Sequence, residues 1–239
     1  MSPAIAIALC SLVCAQSSGE WKLSVGVPCR VHVAGPDGKP IKAPDLPFFH
    51  DHFVCEGEAT LSLPPGVYVG TVERGPEWRR ESRKIEIQAG SAASTSIELG
   101  RIFDLARENW FAGDVHVHRP PEEMPLHLRA EGLSIAPVIT VWNQSNLWKG
   151  RPLPEVPLIQ LPNGTAYHVL CCEDERQGGA LLYFNLSKPL DFTGVGPELP
   201  SPAKFLSEAA SDHRATAAKY APHFWGLLGG STLHERPAR

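Results

Sequence analysis

No stretch of about 20 consecutive apolar residues, the length a helix needs to cross a bilayer, occurs in this sequence, which excludes an integral helical membrane span. Neither sign of charge dominates: 22 Lys and Arg stand against 26 Asp and Glu, for a net charge of −4. Phosphate recognition needs clustered cations, so a nucleic-acid partner is excluded. Charged residues are only 20% of the 239, too few for a disordered polyelectrolyte. There is no G-x-G-x-x-G or Walker loop, which leaves nucleotide binding without a cradle. Ser145 has no G-x-S-x-G context, so no serine-hydrolase elbow is present. Internal repeats are absent. What the chain does have is 43% hydrophobic residues, enough for a core, and 23 prolines, about twice the usual ~5%. Proline at that density predicts many turns, short strands and few long helices.

Residues 1–15 form a short apolar run ending in Val13-Cys14-Ala15, a small-x-small site. This reads as a cleavable signal peptide and predicts an exported protein, periplasmic or extracellular. Cys29, Cys55, Cys171 and Cys172 then remain. A Cys29–Cys55 bridge is conceivable in an oxidising compartment. Cys171 and Cys172 are adjacent, point to opposite faces of a strand and read as two buried apolar side chains.

From 19 to 100 the sequence alternates as strands do. Val31-His32-Val33 runs into the tight turn Gly35-Pro36-Asp37-Gly38, and Ala59–Leu63, Val67–Val72, Lys84–Gln88 and Thr95–Leu99 each put alternate residues on one face. Short alternating strands at this spacing predict a β-sandwich. The stretch "GPDGKP … ATLSLPPGVYVGTVERGPEW" resembles the prealbumin-like, carboxypeptidase-regulatory sandwich, an accessory module that implies packing rather than chemistry. After Gly100 the texture changes. Residues 101–107 read as a helical turn or linker, and 109–120 as a buried strand ending in polar residues. Short helices are expected over 125–133 and 202–210, and strands over 134–142, 166–172 and 180–184. This is α/β texture following a β-sandwich, an α+β or α/β chain as a whole.

The strongest chemical signal is Gly113-Asp114-Val115-His116-Val117-His118. On a strand, positions i and i+2 share a face, so His116 and His118 project together and can hold one Zn²⁺, Mn²⁺ or Fe ion. Asp114 lies on the same face, as a further ligand or as the group that orients a ring. The stretch "WFAGDVHVHRPPEEMPLHLRAEGLSIAPVITVWN" resembles the opening of PHP-type (polymerase and histidinol phosphatase) metal-dependent hydrolases. Among these it is most similar to the CehA/McbA-like metallohydrolases, which often carry an N-terminal sandwich. The resemblance implies the first part of a distorted (β/α)7 barrel over 108–210, with divalent metal at the C-terminal ends of its strands. It matches Asp114, His116 and His118 to a D-x-H-x-H motif and Glu173 to a metal-bridging glutamate. It also implies hydrolysis of a phosphoester, ester or carbamate in an unidentified small-molecule substrate.

Other features depart from that family. Its second motif ends in Thr-Asp-His, where this chain has Thr140-Val141-Trp142-Asn143. About 120 residues follow Arg119, against the roughly 200 or more of such barrels, and the tail 211–239 is atypical. A truncated copy with an incomplete ligand set and impaired activity is therefore expected. The alternative is a non-catalytic secreted binding or structural protein. Among other candidates, His50-Asp51-His52 is a second H-x-H, read as a solvated strand edge. His127 and the Glu122-Glu123 pair are expected at the surface, and His168 in the core. Asn163-Gly164-Thr165 is a glycosylation sequon that matters only in a eukaryotic secretory path.

Overall fold

Alternation in the first hundred residues becomes a sandwich of two sheets. The computed structural model describes residues 17–143, 145–176, 179–197 and 199–212, and the backbone of 217–221. The expected signal peptide and most of the tail lie outside these residues. In chain order the strands are β1 (Gly19–Ser24), β2 (Cys29–Ala34), β3 (Phe48–Phe49), β4 (His52–Cys55), β5 (Glu58–Leu63), β6 (Gly66–Glu73), β7 (Glu81–Ile87) and β8 (Ala92–Ser96). One sheet has the order β5-β1-β8, the other β3-β4-β2-β6-β7. In β1 the apolar Trp21 and Leu23 are buried while Glu20 and Lys22 face water. Trp21, Phe53, Leu61 and Tyr68 fill the space between the sheets, where apolar burial supplies most of the cohesion. The Trp21 indole N–H, which cannot be left unpaired there, donates to Thr95 Oγ1 at 2.9 Å. Cys29 and Cys55 are buried free thiols on directly opposed positions of β2 and β4, their sulfurs 3.7 Å apart.

A linker with a single 3₁₀ turn, Leu105–Glu108, leads into the second half. There a 3₁₀ turn, Pro121–Glu123, leads into α1 (Met124–Ala130), whose Pro125 is tolerated in the first turn because an N–H there has no helical partner. It ends at Gly132, whose φ of 66° only glycine adopts freely. The strands that follow are β9 (Ile135–Trp142), β10 (Ser145–Asn146), β11 (Leu158–Gln160), β12 (Ala166–Arg176) and β13 (Gly179–Phe184), then α2 (Ala203–Ser211) and β14 (Ala217–Ala221). The sheet order is β10-β9-β12-β13-β14, with β11 beside the start of β12. β9 and β12 are parallel, whereas β12–β13 and β13–β14 are antiparallel.

Three expectations are corrected here. The second half is not the first part of a (β/α)7 barrel: the described residues give an open mixed sheet with two helices, whereas such a barrel needs parallel strands joined by crossover helices. Segment 113–118 is not a regular strand. It touches β9 in parallel through two isolated bridges, Gly113 to Ile135 and Val117 to Val138. Finally, His127 is not at the surface but 2% exposed, because α1 packs against β4 and β2 of the sandwich.

That packing makes a charged seam between the two halves. Arg30 grips the Glu131 carboxylate with two nitrogens, its Nε at 2.8 Å, and also reaches Glu73. Arg129 Nη1 donates to Glu56 at 2.7 Å, and the Arg119 guanidinium lies 3.8 Å over the Phe49 ring. Gly75, at φ 59°, lies so near Glu131 that an added Cβ would come within 2.1 Å of its carbonyl oxygen.

Candidate metal centre

Three parallel segments, 113–118, β9 and β12, run side by side and bring their C-terminal ends together. Ligands of open α/β sheets gather at such ends, because the loops that follow are free to diverge. His118 ends the first segment, Trp142 the second, and Glu173 lies near the end of the third, opposite Trp142 in the pairing register. Glu173 thus meets both histidines: its Oε1 lies 3.2 Å from His116 Nε2 and its Oε2 2.8 Å from His118 Nε2. The two imidazole centroids are 5.1 Å apart. Trp142 presents its ring edge-on to His118 at 4.9 Å, making an apolar wall on that flank.

Glu173 is only 3% exposed. Burial alone raises a carboxyl pKa, but the hydrogen bonds and charges of His116 and His118 outweigh it and hold Glu173 at about 2. It is an anion at neutral pH, facing two imidazole nitrogens within a 4.8 Å cluster. Two borderline nitrogen donors and one hard oxygen suit Zn²⁺, Mn²⁺ or Fe, with water completing the shell. The donor set therefore fits a divalent ion.

Asp114 stands outside this three-ligand group. Its Oδ1 accepts the His116 backbone N–H at 2.9 Å, so it shapes the chain that carries the two rings. Asn143 is no ligand: its side chain is tied to Glu175, accepting the backbone N–H at 3.1 Å and donating to the carboxylate at 3.3 Å. His168 is buried as expected, its Nδ1 accepting the Leu170 N–H at 3.2 Å. Cys171 and Cys172 are buried in separate apolar clusters, the opposite-face arrangement read from their adjacency. Glu122 is exposed, while Glu123 Oε2 lies 3.3 Å from His127 Nε2.

The second H-x-H does not act as a pair. His50 sits exposed on the β3–β4 turn at φ 51°, and His52 is 7% exposed. The residue that joins His52 is His32, its cross-strand partner on β2. Sequence spacing carries no signal for that pairing, because register between distant strands is set by tertiary packing.

No family model matches this chain, and no curated protein matches it. Among solved structures, the Bacillus anthracis TIE protein is similar at 14% identity with a TM-score of 0.28, over 44% of this chain and 20% of that one. The chain thus spans about a fifth of that structure's length, and a likeness so slight supports no argument about fold or function.

Proposed function

We propose that this chain is a metal-dependent hydrolase of the PHP type, related to the CehA/McbA-like metallohydrolases, that acts on phosphoester, ester or carbamate bonds. One observation carries the reading: Glu173, distant in sequence, converges on His116 and His118 with all three donor atoms within 4.8 Å of one another. In this reading 113–118, β9 and β12 bring the ligands together on an open sheet, without the family's barrel, and the sandwich is an accessory module. His116, His118 and Glu173 hold one ion; when bound, it supplies Lewis acidity toward a carbonyl or phosphoryl oxygen and acidifies water. The chain's own residues do the rest. Glu173 balances the cation's charge, Asp114 fixes the backbone of His116, and Trp142 keeps water from one side of His118. His116 is the more open of the two rings, 22% exposed against 11%, so substrate enters on its side.

A three-ligand site holds its ion less firmly than a closed four-ligand cage and leaves a position open for water, so loss of any one ligand is expected to empty it. Equilibrium dialysis against Zn²⁺ and Mn²⁺ tests the centre on wild type, His116→Ala and Glu173→Gln. Each variant is expected to lose one bound equivalent. Hydrolysis of p-nitrophenyl esters, phosphoesters and carbamates should stop with a chelator and return with added ion. Wild-type stoichiometry in both variants would overturn the reading. A second reading, a non-catalytic secreted binding protein, is favoured by Trp142, which offers His118 an apolar ring where the resembled family's motif brings a ligand. Ion binding without turnover on all three bond classes would select it.

A further inference from the structure

We propose that the sandwich carries a second divalent-cation site, built from His32 on β2, His52 on β4 and Asp51 in the turn before β4. It is independent of the centre at Glu173 and structural rather than catalytic. A tight turn creates it. His50 adopts φ 51° and the Asp51 N–H donates to the Phe49 carbonyl at 2.7 Å, which folds the Asp51 carboxylate back over the sheet. Asp51 Oδ1 then lies 2.9 Å from His52 Nδ1 and Oδ2 lies 3.3 Å from His32 Nδ1.

The geometry repeats that of the first centre. In both, one carboxylate sets an oxygen against each of two imidazoles whose centroids are 5.1 Å apart. The scaffolds differ: His116 and His118 are two residues apart in one segment, whereas His32 and His52 are cross-strand partners. The repetition is therefore one of donor arrangement and not of motif.

A second observation points to a cation. His32 Nε2 lies 3.1 Å from Glu73 Oε1 while its Nδ1 faces Asp51 Oδ2. Carboxylates only accept; a ring protonated on both nitrogens would donate to each, whereas a neutral imidazole carries one N–H. If Nε2–H donates to Glu73, the Nδ1 lone pair points at an oxygen lone pair. A metal ion at Nδ1 converts that repulsion into two bonds. Glu73 then orients the ligating ring through its second nitrogen, as carboxylates do around metal-bound histidines. The surrounding charge is favourable. Arg30, the neighbouring cation, is already engaged by Glu131 and Glu73. The site is buried on the His52 side and open at Asp51, whose side chain is 59% exposed, so water completes the coordination. Two imidazoles and one carboxylate select a borderline ion such as Zn²⁺ over Ca²⁺ or Mg²⁺. Its effect would be to pin the β3–β4 turn to β2.

The test counts Zn²⁺ by equilibrium dialysis with elemental analysis on wild type, Asp51→Asn, His32→Gln and Glu173→Gln. Asp51 is exposed, so Asp51→Asn keeps the fold. We expect two equivalents on wild type and one on each variant, with none on Asp51→Asn combined with Glu173→Gln. In Glu173→Gln, added Zn²⁺ should shift the ring ¹⁵N resonances of His32 and His52 and no other histidine. Equal stoichiometry in Asp51→Asn and wild type overturns the proposal, as does a His32 ring that stays protonated on both nitrogens in excess Zn²⁺. Failure of the first centre is distinguishable: Glu173→Gln would then match wild type while Asp51→Asn loses its ion.

Discussion

His127 shows how one residue reports on its surroundings. The ring is 2% exposed, its Nδ1 has no hydrogen-bond partner, and Nε2 faces Glu123 at 3.3 Å. Burial, reinforced by nearby Arg119, His52 and Arg30, lowers its pKa to about 3. A folded pKa below the unfolded value of ~6.5 means the unfolded chain binds the extra proton more readily. Stability from this residue is complete above pH 6.5 and drains away as pH falls toward 3. The loss at pH 4 is on the order of 3 kcal/mol. Urea unfolding of wild type and His127→Leu between pH 4 and 7 checks this, and the variant should show the flatter dependence. Glu123, whose carboxyl burial raises, is retained in both proteins, so its opposite effect is largely shared. The sequence placed His168 correctly and His127 wrongly for one reason. His168 sits among apolar neighbours within its own strand, whereas His127 is buried by β2 and β4, some 70 or more residues away in the chain.

At the scale of elements, period-two alternation was a sound guide wherever a strand has one wet face. β1, β2 and β5 follow it residue by residue, and the continuous apolar run of β9 marked a strand covered on both sides. Helices α1 and α2 fall within a residue or a few of the expected spans. The reading faltered at 113–118, where alternation is present but ladder pairing is not. Asp114 captures the His116 N–H, a local bond that competes with the sheet. Convergence of His116 and His118 was legible all the same, and Glu173 became so only through the family resemblance. The role of Asp114, open between ligand and orienting group on sequence alone, can be decided by two substitutions. Asp114→Ala should weaken ion binding roughly 3- to 10-fold, the worth of a hydrogen bond of ~0.5–1.5 kcal/mol. Asp114→Asn, whose side-chain oxygen still accepts the N–H, should bind as wild type does in a Zn²⁺ titration. Equal losses in both variants would mark Asp114 as a direct ligand.

Considered whole, the molecule is two β structures held by a seam and strung on a linker. Ile102, Phe103, Trp110 and Phe111 along that linker are exposed, which offers chymotrypsin its preferred sites. Limited digestion should cut between 102 and 111, yet the pieces should co-elute at low salt, because Arg30–Glu131 and Arg129–Glu56 bridge them. Raising ionic strength should release the exposed Arg129 pair first, since exposed ions are screened and buried ones are not. Pieces that separate at once under mild conditions would show that the seam contributes little cohesion.

The same seam bears on how the chain is made. Arg30 and Glu131 are 101 residues apart, an interval of roughly 5–20 s at the usual ribosomal rate of ~5–20 residues per second. For the last 35 residues of that interval, from Ser96 to Glu131 and roughly 2–7 s, the newborn sandwich has its strands but not the helix that packs on them. Arg30 lacks its main counter-ion, and the notch at Gly75 stands open to whatever the cell presents. The sandwich is therefore finished by sequence that does not yet exist when its own strands first emerge. A nascent chain stalled before Glu131 is the form in which a chaperone would find most to hold.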